Sequence, residues 1–226
     1  MATGMGAYEA AIAQRKAALF ATALSGAADV AEVGLGAGPN LRYYGAAGVR
    51  GVVGVEPNEF MAPYATAAAT SAGVPLRLLR GVAEALPLPD ASCDAVVTTL
   101  VMCTVAEPAS ALAEIARVLR PGGAFVFIEH VAADATAAPV LAAAQRALDP
   151  LQQLLAGGCH LTRATGDLIA ARCADTSGAL RTAAATKQPP KKAPPLLFAS
   201  LRMERFDAAD AWPITPHVAG VARKAA

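Results

Sequence analysis

Apolar and polar positions follow two periods along the first 130 residues of the chain. Compact apolar runs predict buried strands, and runs with helical spacing predict amphipathic helices between them. The predicted strands are 30–33, 49–55, 76–82, 93–100 and 124–130. The predicted helices are 7–24, a helix that starts at Pro39, 59–71 and 108–119. Strands and helices that alternate in this way predict an α/β fold with a parallel, doubly wound sheet.

The pattern is less regular in the second half of the chain. Helices are predicted over 137–155 and 162–173. Residues 176–195 are rich in lysine and proline, which predicts a solvated insert. A closing pair of strands is predicted over 197–206 and 217–223, which brings the predicted strands to seven.

A glycine-rich segment joins the first predicted strand to the helix that follows it. Its sequence from residue 32 to residue 38 is Glu-Val-Gly-Leu-Gly-Ala-Gly. Glycines allow a tight turn and close approach of a ligand, and a helix N-terminus offers free N–H groups. The dinucleotide pattern G-x-G-x-x-G is broken, because Pro39 and Leu41 stand where its last glycine would be. The segment therefore predicts a nucleotide-type cofactor other than a dinucleotide.

A carboxylate ends the second predicted strand. Glu56 lies 22 residues after Gly34, and a carboxylate there can accept hydrogen bonds from both hydroxyls of a ribose. An extended loop, 83–90, follows the third strand. Both features lie at the carboxyl ends of strands, where open α/β sheets bind ligands.

The Glu-x-Gly-x-Gly-x-Gly segment resembles motif I of the Rossmann-like class I methyltransferases, which use S-adenosylmethionine. Residues 81–86 are similar to their adenine loop, and Arg-Pro-Gly-Gly at 120–123 is common before their fifth strand. The resemblance implies a seven-stranded, mostly parallel sheet with helices on both faces and an antiparallel last strand. It implies S-adenosyl-L-methionine as the cofactor. The cofactor-binding residues predicted on this basis are Glu32, Gly34, Gly36, Gly38, Glu56, Ala83, Glu84 and Thr99.

More specific segments resemble the methyltransferase-like seven family, the alkyl thiol S-methyltransferases. They are 96–105, 118–132, 148–150, 158–163 and 216–222. The resemblance implies methyl transfer to a small-molecule thiol. Animal members carry an N-terminal hydrophobic anchor, whereas this chain starts almost at the catalytic domain. The insert 176–195 has no counterpart in the family. The domain is expected to contain a lead-in, a cofactor-binding half and a substrate-side half at 1–28, 29–131 and 132–226.

Two histidines are the predicted catalytic residues. His130 ends the fifth predicted strand, so it is placed to orient, polarise or deprotonate the acceptor. His160 follows a glycine pair and Cys159, and could line the acceptor side. A thiol with a pKa of about 8.5 is partly ionised near neutrality, so a base helps but is not obligatory. Structural roles, a strand cap for His130 and packing for His160, are the alternatives.

Composition narrows the function class further. The net charge of +1 and the absence of an apolar run of about 20 residues argue against a nucleic-acid partner and a transmembrane segment. Four cysteines without a CxxC pair predict no metal site and a reducing compartment, hence a cytoplasmic protein. A monomer is expected, and lysines in the insert leave weak membrane association open.

Three other functions stay open at this point. A nicotinamide oxidoreductase would usually carry the dinucleotide fingerprint, which is broken, and a Tyr-x-x-x-Lys pair, which does not occur. Within the methyltransferases, the acceptor could be oxygen or carbon of a small apolar molecule such as a quinone or lipid. A cofactor-binding subunit without catalysis is the third alternative.

Overall fold

The computed structural model describes residues 2–179, 195–209 and 211–226. The strands are β1 (Asp29–Val33), β2 (Gly51–Val55), β3 (Leu76–Leu79), β4 (Cys93–Thr99), β5 (Leu119–His130), β6 (Cys173–Ala179), β7 (Phe198–Asp207) and β8 (Pro216–Arg223). The helices are α1 (Ala2–Ala23), α2 (Leu41–Tyr44), α3 (Ala62–Ala72), α4 (Pro108–Val118), α5 (Pro139–Leu155) and α6 (Thr165–Ala170). A 3-10 turn, Glu59–Met61, precedes α3.

The eight strands form one mixed sheet in the order β3-β2-β1-β4-β5-β8-β7-β6. Strand β8 runs antiparallel to both of its neighbours, and the other strand pairs are parallel. The predicted mostly parallel sheet with an antiparallel last strand is therefore confirmed. Because β8 lies between β5 and β7, it brings His217 opposite His130.

Helices cover both faces of the sheet, as predicted. Side chains alternate across a strand, so neighbouring residues in β4 enter different cores. Val96 packs in the core that contains Leu112 of α4, whereas Val97 packs in the core that contains Phe20 of α1 and Ala65 of α3. A strand buried on both faces must be apolar nearly throughout, which is why the sequence of β4 predicts a strand so clearly.

The predicted count of seven strands is wrong, because β6 adds an eighth. The predicted helix 162–173 ends at Ala170, and the first residues of the predicted insert 176–195 belong to β6 instead. The composition of this polar segment does not predict a strand. It is one because its backbone hydrogen-bonds to β7, with Cys173 opposite Phe198. Residues 180–194 of the insert lie outside the described residues.

Smaller corrections concern element ends. The helix after the glycine segment starts at Leu41 rather than at Pro39 and has only four residues. The predicted strand 76–82 ends at Leu79. Strand β5 starts at Leu119, and residues 120–123 form an irregularity in its pairing with β4 instead of lying outside the strand. No helix in the described part of the chain is long and apolar enough to cross a membrane.

Candidate active site

The glycine segment makes a tight turn at the carboxyl end of β1. Gly34, Gly36 and Gly38 all have positive φ angles, +67°, +57° and +76°. A Cβ at Gly34 would collide with the side chain of Val101, so glycine is required there for close packing. A Cβ at Gly36 would meet no atom within 4 Å. The turn therefore leaves open space above Gly36, as a cradle for a ligand must.

This turn forms one wall of a cavity of about 620 Å³. A volume of this size lies within the range of small-molecule and cofactor sites. The cavity also touches Glu9 of α1 and Leu100, which follows β4. The predicted cofactor residues that line it are Glu32, Gly34, Gly36, Gly38 and Thr99.

Glu32 is buried at the base of the cavity and is held by two donors. Asn40 Nδ2 donates to Oε1 at 2.8 Å, and the Tyr44 hydroxyl donates to Oε2 at 2.6 Å. Burial raises the pKa of Glu32 to about 7, although both hydrogen bonds and the buried Lys16 act against that shift. Lys16 is itself paired with Glu9, at 2.8 Å. The positive charge of Lys16 therefore offsets the negative charges of both Glu9 and Glu32 beside the cavity.

Glu56 fixes the glycine turn from the end of β2. Its Oε2 accepts a hydrogen bond from Gly36 N at 2.9 Å, and its Oε1 accepts one from Asn58 N at 3.0 Å. An ionised carboxylate has about four acceptor positions, so two backbone bonds leave capacity for ribose hydroxyls. The carboxylate is thus held beside the glycine turn, and its predicted contact with ribose hydroxyls stays a prediction.

The loop predicted for adenine is stabilised from α4. Ala83 is buried, and the Glu84 carboxylate accepts hydrogen bonds from the backbone of Ala106 and Glu107 at the start of α4. Arg117 donates to the carbonyls of Leu86 and Leu88. Both hydrogen bonds go to Glu84 Oε1, so they fix the loop to the segment that leads into α4.

His130 lies at the end of β5 within a small buried cluster. Its Nε2 is 3.1 Å from Cys159 Sγ, and its Nδ1 is buried without a partner among the described residues. The Cys103 thiol completes the cluster. Hydrogen bonds from Cys103 and His130 lower the pKa of Cys159, while the hydrogen bond to Cys159 and then burial raise the pKa of Cys103.

His160 lies at the rim of this cluster and does not join it. Its backbone N–H donates to Cys103 O at 3.0 Å, and its half-exposed ring has Nδ1 3.8 Å from Asp149 Oδ2. Asp149 also accepts a hydrogen bond from Leu161 N at 2.5 Å. The loop that carries Cys159 and His160 is therefore fixed at both sides.

Sequence reasoning missed several buried polar residues near His130. The Tyr8 hydroxyl of α1 is 3.0 Å from His217 Nε2, and His217 Nδ1 is 3.0 Å from Thr215 O. Glu129 Oε2 accepts from the backbone of Val101 and Met102, so it shapes the loop after β4. The antiparallel pairing of β8, which no local pattern encodes, brings His217 to this place.

Comparison with known proteins identifies the family. Residues 31–127 match a methyltransferase domain model. The human thiol S-methyltransferase TMT1A is 37% identical over 165 residues, which cover 69% of this chain and 66% of that protein. Human TMT1B is 32% identical over 209 residues, which cover 90% of this chain and 73% of that protein. The chain belongs to this thiol S-methyltransferase family.

Solved structures agree on the fold of this methyltransferase. The YcgJ protein of Bacillus subtilis superposes with a TM-score of 0.64 at 16% identity, covering 94% of this chain and 99% of that one. A protein from Bacillus halodurans gives a TM-score of 0.66 at 15% identity, with 94% and 100% covered. At such low identity these matches support the Rossmann-like methyltransferase fold alone.

Family membership implies S-adenosyl-L-methionine as the cofactor, and the site of this methyltransferase fits that molecule. The open space above Gly36 provides the cradle. The buried Asn40 Oδ1 beside Glu32 has no partner among the described residues, so a polar ligand group can be satisfied there. Chemically, the cavity lining offers polar side chains, such as Glu32, and apolar ones, such as Leu100.

Proposed function

We propose that this protein transfers the methyl group of S-adenosyl-L-methionine to the sulfur of a small-molecule thiol. The observation that carries the proposal is the position of the cavity. It is lined by both the glycine turn and Leu100, and Cys103 Sγ lies 3.5 Å from Leu100 O. The cofactor site and the buried His130 cluster therefore adjoin, as a donor site and an acceptor site must.

The predicted cofactor residues divide by what they can do. Glu32 and Thr99 both line the cavity, and Asn40 links them by donating to both side chains. Gly34, Gly36 and Gly38 permit the turn, and Glu56 orients it. When bound, the cofactor supplies an electrophilic methyl group on a sulfonium. The protein's contribution is then mainly positioning, because the electrophile is already activated.

On the acceptor side, His130 is the proposed positioning residue. Cys159 fixes its ring through Nε2, and Nδ1 remains free of protein partners among the described residues. A buried ring nitrogen in this state is available to hold an acceptor, and burial excludes water from the reacting atoms. His160, at the rim, is proposed to contact the outer part of the acceptor.

Other features of the function stay predictions. They are a monomeric state, a cytoplasmic location and weak membrane association through the insert. Transfer to oxygen or carbon and cofactor binding without catalysis remain the competing functions, and the experiment below separates them from the thiol reaction.

The test is methyl transfer from labelled S-adenosyl-L-methionine to an alkyl thiol, the matching alcohol and a quinol, with products identified by mass spectrometry. We expect a thioether from the thiol alone. Glu56→Ala should abolish transfer and weaken cofactor binding in calorimetry. Glu59→Ala, which changes an exposed glutamate three residues away, should do neither. Methylated oxygen or carbon, or cofactor binding with no product at all, would reject the thiol function.

A further inference from the structure

We propose that Cys103, His130 and Cys159 bind a divalent ion of the zinc class, with one coordination position open to the acceptor thiol. The identity of that fourth ligand rests on the proposed function, whereas the ion site itself does not. The three residues come from the loop after β4, the end of β5 and the loop after α5.

The ligand atoms are already gathered. The two sulfurs and one ring nitrogen all lie within 4.8 Å of one another, with His130 Nε2 3.1 Å from Cys159 Sγ. In a tetrahedral zinc site, Zn–S and Zn–N bonds of about 2.3 and 2.0 Å place ligand atoms roughly 3.5 to 3.8 Å apart. Small side-chain movements are sufficient to reach that geometry.

The backbone holds these residues in place without an ion. His160 N donates to Cys103 O, which ties the loop of Cys159 to the loop of Cys103. Arg163 reinforces the same contact by donating to Met102 O at 2.7 Å. His130 is fixed by its place in β5, which pairs with β8. A site with ligands on supported elements is preorganised, so little ordering is needed on binding.

Charge favours a divalent soft cation here. Cys103, His130 and Cys159 are 2%, 1% and 7% exposed, so an uncompensated charge would be costly. Two thiolates and a neutral imidazole around a doubly charged ion give a site with no net charge. Thiolate and imidazole ligands select zinc-class metals over magnesium or calcium. Binding requires both cysteines as thiolates and His130 as a neutral imidazole, so any protons that the cluster holds beyond that state are released to solvent.

The open coordination position would face the cofactor cavity. Three protein ligands leave a fourth position free, which is the usual arrangement of a catalytic zinc. Cys103 Sγ contacts Leu100 O, and Leu100 lines the cofactor cavity. An acceptor thiol that enters from this side would bind the ion as a thiolate and release its proton to solvent. Sulfur would then be nucleophilic at neutral pH without a general base.

Cobalt(II) titration of the reduced, full-length, chelator-treated protein is the test, read by thiolate-to-cobalt charge-transfer absorption and by zinc competition. We expect one equivalent to bind to wild type and to Cys173→Ser, which alters a buried free cysteine outside the cluster. Cys103→Ser and Cys159→Ser should each lose at least half of the charge-transfer intensity, because one of the two thiolate ligands is gone, and circular dichroism checks their fold. No band in wild type, or an equal band in folded cluster variants, would overturn the site.

Adding an alkyl thiol without cofactor tests the fourth position. We expect the charge-transfer intensity to rise by roughly half, because two thiolate ligands become three. An unchanged spectrum would overturn the fourth-ligand assignment while leaving the three-residue site. Neither readout depends on methyl transfer, so loss of the proposed activity and loss of the metal site are separate results.

Discussion

Replacing Gly36 with alanine tests whether the open space in the glycine turn is the cofactor cradle. The new Cβ would meet no protein atom within 4 Å, so the folded protein has room for it. The backbone at φ +57° costs an alanine roughly 1–2 kcal/mol of stability. In the bound state, the extra methyl group would occupy space needed by the ligand. Overpacking of that kind typically costs about 1–3 kcal/mol.

Gly48→Ala separates these two effects. Gly48 is exposed at φ +79°, and its added Cβ also meets nothing within 4 Å, but it does not line the cavity. Both variants should therefore lose about the same unfolding free energy in urea titrations. Calorimetry with S-adenosyl-L-methionine should show a Kd increase of roughly 5- to 150-fold for Gly36→Ala alone. Equal affinities in the two variants would refute the placement of the cofactor above Gly36.

Two further predictions concern Glu32 and Arg117. Because burial raises the pKa of Glu32 to about 7, the native state keeps this proton to a higher pH than the unfolded chain does. The free energy of unfolding should therefore fall by about 3 kcal/mol as the pH rises from about 4.5 to about 7. Glu32→Gln should flatten this fall in urea unfolding at several pH values. Parallel curves for wild type and variant would contradict the prediction. Arg117→Ala removes donors to two loop carbonyls, so it should lower the free energy of unfolding by about 2 kcal/mol and raise the cofactor Kd. The control Arg77→Ala, at an exposed position, should change neither quantity. An unaltered Kd in Arg117→Ala would separate that loop from cofactor binding.

The cofactor half of the fold could be predicted because its signals are local. Strand β4 is buried on both faces, so its sequence is apolar and conspicuous. The glycine turn is encoded by the three residues that need positive φ, and Glu56 follows directly from the end of β2. Only the limits of elements were wrong there, as at Pro39, because a proline suited to the first helical turn can equally precede it.

The acceptor half could not be predicted in the same detail, because tertiary pairing decides it. Strand β6 is polar and has little strand propensity, yet β7 supplies its hydrogen-bond partners. His217 reaches His130 only through the register of β5 with β8. Cys103 and Cys159 show no metal-ligand spacing, since their approach depends on two loops meeting through a backbone hydrogen bond.

The position of β8 has a consequence for how the chain is made. A ribosome delivers β6 and β7 before β8, but β7 is hydrogen-bonded into the sheet beside β5 only through β8. Until residues 216–223 emerge, β5 has an unpaired edge, and β7 lacks the strand that hydrogen-bonds it into the sheet. The pairing of His217 with Tyr8 and the approach to His130 form at the same late moment. A partly synthesised chain can thus contain the glycine turn before the proposed acceptor site has formed. The complete site forms only when β8 pairs with β5.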